Sequence, residues 1–296
     1  MAQHPTRRNL LFGILLLTPA AAAIIATTLL PALSNLFIAF QDWNGFAAAK
    51  WIGFDNFKAA FADDYFWKSM KASFFIGIIS TLGAVPLGVL LAACVFKVGK
   101  FEGSAYRVVL FVPVMIPLAI IGLLFTFMLN PEMGLINKIL ELIGLENLQR
   151  AWLSNPDTVM WVISLIGAWR MAGLTMMLSF ASMISIPTEL FESSKLDGAG
   201  YPRQFFSIML PLIRPSLQVS TVFSFIVLVS TYDLVYIMTR GGPGTVSQTV
   251  PIYMMKTAFT YSNFGYSATI GLLFSVAGIL VIFLLQRLFK GENHEI

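Results

Sequence analysis

The chain has 296 residues, of which 57% are hydrophobic and only 11% charged, against about 25% charged in an ordinary soluble domain. A soluble fold of this length keeps too much surface to hide such a composition, and at about 20 apolar residues per spanning helix the chain can supply roughly six. Disorder, collagen-like structure and nucleic-acid binding are excluded, and the net charge of +4, spread along the whole chain, reads as an orientation signal.

The pattern predicts an all-α membrane protein with six transmembrane helices, at residues 10–40, 72–96, 106–129, 158–186, 210–238 and 266–289. The first follows Arg7 and Arg8 and begins like a signal peptide, but its apolar run continues past Pro19 to Phe40, which predicts an uncleaved anchor. Residues 1–71 then form an N-terminal helix with an external loop, 72–289 a transmembrane core, 187–215 its longest inner loop and 290–296 a tail. With the N-terminus inside, the inner segments carry ten basic and six acidic residues and the longer outer segments eight of each. That density places both termini in the cytoplasm.

Pro86, Pro113 and Pro117 are expected to kink the second and third spans. Arg170 in the fourth span and Asp233 in the fifth are the ionisable residues at membrane depth. Such charges face protein, a partner or a water-filled cavity, so they read either as a structural pair or as the lining of an interior. The single cysteine, Cys94, allows no intramolecular disulfide, and His4 and His294 sit in the tails. No catalytic or metal-binding group is expected in the body of the chain.

The inner loop from Pro187 to Pro215 reads as two short amphipathic helices. Thr188 is placed to cap the first, with Glu189 and Glu192 near its positive end. Gly198 and Gly200 allow the turn that ends it, and Pro202 suits the opening of the next. Leu190, Phe191, Ser194, Leu196, Phe205, Phe206 and Ile208 supply small and apolar faces. A loop lying on lipid headgroups would favour Lys and Arg. Here Glu189, Glu192 and Asp197 outnumber Lys195 and Arg203, so the loop is built to dock on protein.

At this point the sequence resembles the membrane subunits of ATP-binding cassette importers. Their hallmark of Glu-Ala-Ala, Gly, Ile and Leu-Pro is matched in spacing by Glu192-Ser193-Ser194, Gly198, Ile208 and Leu210-Pro211, with Ser-Ser in place of Ala-Ala. Within that family the chain is similar to carbohydrate permeases of the maltose type. The supporting runs are Asn130-Pro131-Glu132-Met133-Gly134-Leu135-Ile136-Asn137, Trp169-Arg170, Thr239-Arg240-Gly241-Gly242-Pro243, Thr257-Ala258-Phe259 and Phe264-Gly265-Tyr266, with Tyr253.

The resemblance implies a type I importer permease fold in a bacterial inner membrane, importing a sugar or sugar derivative. It implies a heterodimer with a second, homologous permease, two ATPase subunits that bind ATP and Mg, an external solute-binding protein, and membrane lipid as surroundings. The chain itself would hold no cofactor, since Gly99-Lys100 is followed by Phe101 and lacks the rest of a phosphate loop. Gly241-Gly242-Pro243-Gly244 reads as an outer turn or a contact with the binding protein.

Carried over residue by residue, the lever that couples to the ATPase is Glu192, Ser193, Ser194, Asp197, Gly198, Ala199 and Gly200, and the substrate path is Leu118, Arg170, Met171, Leu174, Ser224 and Leu228, with Asp233 nearby. Leucine at 118, 174 and 228 argues against maltose itself. Arg170 would suit a phosphate, sulfonate or carboxylate on a sugar. Two other classes compete. A secondary transporter or channel would use Arg170 and Asp233 as an intramembrane pair, but the sequence shows no inverted repeat. A membrane enzyme lacks the His, Cys or paired carboxylates it would need at membrane depth.

Overall fold

The computed structural model describes residues 7–98 and 100–289. His4, the tail 290–296 with His294, and the tail charges used for orientation lie outside them. Among the described residues, four helices are long and apolar enough to cross a membrane, and two sharply bent helix pairs bring the number to six. The chain falls into two compact units, residues 1–62 with 254–273 and residues 63–253 with 274–296.

The first unit opens with α1 (Arg7–Ile24), a π turn over Ile25–Leu29 and α2 (Leu30–Ile38). The span Leu15–Ile38 buries nothing inside the chain, as expected of a helix whose whole surface meets lipid or a partner. Its end is fixed by polar groups. The Asn56 amide donates to the carbonyls of Ala39 and Gln41 at 3.1 and 3.0 Å, and the Thr269 hydroxyl donates to Ala39 at 2.8 Å. A short antiparallel ribbon, β1 (Gln41–Asp42) with β2 (Lys50–Trp51), pairs Gln41 with Trp51. It leads to α3 (Asp55–Ala62), and Phe40 gathers Trp51, Phe54 and Phe57 around it.

The second unit is built on α4 (Asp64–Lys97) and α8 (Pro156–Ile184). Asp63 caps α4 by accepting from the Tyr65 N–H at 2.8 Å, so the helix starts eight residues before the predicted span. At 1.5 Å per residue it is about 51 Å long, more than a bilayer's hydrocarbon core of about 30 Å. Pro86 sits inside this uninterrupted helix. A glycine at 88 lets α4 meet α8: a Cβ there would lie 2.5 Å from Cβ of Thr175 and 2.7 Å from the Ala172 carbonyl. Such close approach of small residues substitutes for the hydrophobic drive that lipid removes.

The third span is two helices, α5 (Lys100–Met115) and α6 (Leu118–Met128), bent by 93°. Pro113 lies within α5, and the break comes at Pro117, whose φ of −54° and ψ of 136° leave the helical region. Within α7 (Leu135–Leu142), the buried Asn137 ties down the loop that leads to α8. Its amide donates to the carbonyls of Pro131 and Arg150, and its oxygen accepts from the Trp152 indole at 2.8 Å.

The fourth span, α8, agrees with expectation; the fifth, predicted as one helix over 210–238, does not. After α8, α9 (Thr188–Leu196) and α10 (Tyr201–Gln204), a π turn over Phe205–Met209 and α11 (Leu210–Leu212) lead to a 70° bend before α12 (Arg214–Val229). Pro215, without an N–H, suits the first turn of α12. A second break after Val229 separates α13 (Asp233–Thr239), and the Thr249 hydroxyl donates to the Thr231 carbonyl freed there. The Thr239 to Pro243 run closes in a turn held by Ser247, which bonds the Thr239 hydroxyl and the Gly242 carbonyl. Then follow α14 (Val250–Met255), a π turn over Lys256–Thr260 and α15 (Phe264–Phe289).

Candidate functional site: an inner lever and a broken-helix interior

Pro187 sets the start of the lever. Its φ of −56° and ψ of 134° make it the N-cap, so Thr188 is the first helical residue and its side chain caps nothing, contrary to the sequence expectation. The other end is ordered as expected. Gly198, at φ +74°, sits one position past the cap, with its N–H on the Lys195 carbonyl at 3.0 Å and the Ala199 N–H on the Ser194 carbonyl at 2.9 Å. This pair of bonds is the Schellman closure, which satisfies carbonyls that a helix end otherwise leaves orphaned.

One face of the lever is tied to the rest of the unit. Ser194 donates to the Phe191 carbonyl at 2.8 Å and accepts from the Gln204 amide at 2.9 Å. Gln204 is 5% exposed, so this bond across the turn fixes α9 against α10. The Tyr201 hydroxyl donates to the Ala93 carbonyl on α4, and Phe191 packs against Phe96 with ring centres 5.8 Å apart.

The opposite face is open. Glu192, Ser193, Asp197, Gly198 and Gly200 are exposed and Ala199 is half-buried, while Leu196 is 91% exposed. Leu196 thus stands out from the turn between Lys195 and Asp197. Nothing in local spacing links Gln204 to Ser194; its one sequence signal is an amide directly before Phe205 and Phe206.

The substrate-path residues separate into groups. Met171, at 1% exposure, and Leu228, at 5%, pack with Ala84 and Ala168, and Leu174 lies against that cluster. Ser224 is fully buried and its hydroxyl has no hydrogen-bond partner. Leu118, the first residue of α6, packs instead against a cluster that includes Ile121, Leu234 and Val235. Arg170 is partly buried and donates through Nη2 to the Val114 carbonyl at 3.3 Å, with Nη1 3.7 Å from the Met171 sulfur. The neighbouring Trp169 meets Phe125 edge-on at 5.6 Å.

Asp233 is exposed at the start of α13, where a negative charge complements the helix dipole. Among the described residues Arg170 and Asp233 form no ion pair, whereas Lys58 pairs with Asp55 and Lys138 with Glu141. The break after Val229 places Asp233 on a separate helix, so the intramembrane couple that a secondary transporter would need is not assembled.

Residues 84–291 match the family described as binding-protein-dependent transport system inner membrane component. A probable ABC transporter permease protein of Bacillus subtilis (strain 168), YurN, is 32% identical over 290 residues, covering 97% of this chain and 99% of its own. The sulfoquinovosyl glycerol transport system permease protein SmoG of Agrobacterium fabrum is 29% identical, covering 96% of this chain and 92% of its own. In fold, the chain is similar to a subunit of a bacterial ABC transporter that imports the acidic polysaccharide alginate, with a TM-score of 0.81, 23% identity and 96% of each chain covered.

Proposed function

We infer the function from membership: the chain belongs to the family of binding-protein-dependent transport system inner membrane components. It is a multi-pass permease subunit of an ABC importer, and the cargo we assign is a sugar or sugar derivative. The relative that carries sulfoquinovosyl glycerol transport in its name supports that assignment. In this reading the permease pairs with a second permease, receives cargo from an external binding protein, and leaves ATP and Mg to two ATPase subunits. Both termini face the cytoplasm.

The observation that carries the mechanism is the inner lever, closed by a Schellman turn at Gly198, tied to α4 on one face and open on the other with Leu196 outermost. ATP-driven closure of the ATPases has to move the membrane helices through a rigid part, and a turn with its carbonyls satisfied and its core face bonded through Gln204 is rigid. Leu196, with Glu192 and Asp197 beside it on the open face, would seat in the ATPase, and the motion would pass through α8 and α4. Arg170 and Leu118, partly open at the elbow of the third span, and Leu174, partly open beside Met171 and Leu228, are the residues we assign to the cargo path, with Asp233 near its outer end. Met171, Ser224 and Leu228 shape that path from behind in this reading.

The test is co-purification of the encoded ATPase subunits with the chain and with Leu196→Glu, followed by sugar-dependent ATP hydrolysis in lipid. The expected result is loss of co-purified ATPase and of coupled hydrolysis for Leu196→Glu, with unchanged amounts of the chain in the membrane. Stoichiometric ATPase with normal coupling in the variant would refute the lever.

A further inference from the structure

The break in the third span leaves a carbonyl exposed at its corner. In a continuous helix the Val114 carbonyl would receive the Leu118 N–H. Pro117 disfavours helical geometry in the residue before it, and Leu118 begins α6 instead, where the Pro117 carbonyl takes the N–H groups of Ile120 and Ile121. The Val114 carbonyl sits at the C-terminal, partially negative end of α5. The group that reaches it is the Arg170 guanidinium, 56 residues away on α8, at 3.3 Å.

The two arms of the bend meet α8 at different heights. On α5, the Leu110 carbonyl lies against α8 at Gly173, where a Cβ would stand 2.4 Å from it, so α5 and α8 touch backbone to backbone. On α6, Ile121 packs with Leu234, Val235 and Met238 of α13 and with Val159, Ile163 and Ile166 near the start of α8. The elbow at Ile116 and Pro117 therefore joins an arm that lies on α8 near Gly173 to an arm that packs with α13 and with the N-terminal half of α8, and α8 leads on to the loop that starts at Pro187.

We propose that Arg170 is a positioning residue that latches this elbow: by capping the Val114 carbonyl from α8 it holds the third span at its bent angle, so that movement of α8 carries α5 and α6 together at that angle. The proposal rests on the importer reading only for the source of that movement. The latch itself is a property of the chain at rest. A hydrogen bond from a charged donor to a freed carbonyl is strong enough to bias a two-state bend by about tenfold or more.

The test uses spin labels at Val109 on α5 and Leu124 on α6, both on the chain's surface, in a Cys94→Ser background. The full chain is purified with its co-expressed subunits in lipid nanodiscs, and distances are measured without sugar or ATP. Arg170 and Arg170→Lys should give one narrow distance, since an ammonium can also cap the carbonyl. Arg170→Met should gain a second population, raised about tenfold relative to the first. In a Pro117→Ala background, where Leu118 can reach Val114 itself, Arg170→Met should no longer broaden the distance.

A narrow distance in Arg170→Met, or a Lys variant as broad as Met, overturns the latch. If Arg170→Met alone fails to assemble, restoration by Pro117→Ala supports the latch and failure to restore refutes it. An arginine that serves only an anionic cargo leaves every distance unchanged, which sinks the latch while leaving the importer reading intact.

Discussion

Replacing Gly198 separates two reasons why a glycine closes the lever. Its φ is +74° and a Cβ built on it meets nothing within 4 Å, so within this chain the cost of a side chain is purely conformational. For an L-residue the left-handed region costs about 1–2 kcal/mol, which corresponds to a factor of about 5–30 between the closed turn and a rearranged one. Asparagine tolerates that region far better than alanine, and β-branched residues worst of all. If the backbone decides, sugar-stimulated ATP hydrolysis by the reconstituted transporter falls in the order Gly, Asn, Ala, Val, with Asn close to wild type. If the seated turn has no room in the ATPase, Asn, the larger side chain, is worse than Ala, and Asp adds a charge to the same defect. A Val variant that couples as well as Gly refutes both accounts and with them the lever assignment. Thermal unfolding of the isolated chain in detergent serves as the control, because the turn is exposed and its loss should shift global stability little.

Gly88→Ala should destabilise the unit by about 1–3 kcal/mol, the usual range for overpacking. Its Cβ would stand 2.5 Å from Thr175 and 2.7 Å from a carbonyl, and a lowered midpoint of thermal inactivation in detergent is the readout. For orientation, reporter fusions after Lys100, Ser207 and Ile296 should read cytoplasmic, and fusions near Asp55, Leu145 and Thr245 external. One reversed loop would demand a different number of crossings.

The membrane class, six apolar segments and the two short helices after Pro187 were legible in the sequence because each rests on a local rule. About 20 apolar residues suffice to cross lipid, and a glycine just past a short helix suffices to close it, which is why Gly198 forms the turn expected of it. Thr188 failed because a proline directly before it already occupies the cap position. Residues 210–238 read as one span because Ser230, Thr231 and Tyr232 contain no proline or glycine, and only the packing of α13 against α6 ends α12 there. Which face of α8 is enclosed was also out of reach. In water, polar residues mark the outside, but in lipid both faces are apolar, so Met171 in the core and Trp169 on the surface look alike in sequence. The absence of an Arg170–Asp233 couple follows from the same cause. Membrane depth is written in local composition, whereas the partner of a buried charge is chosen by how helices cross, and here a proline break 53 residues upstream on another helix exposes the carbonyl that Arg170 meets.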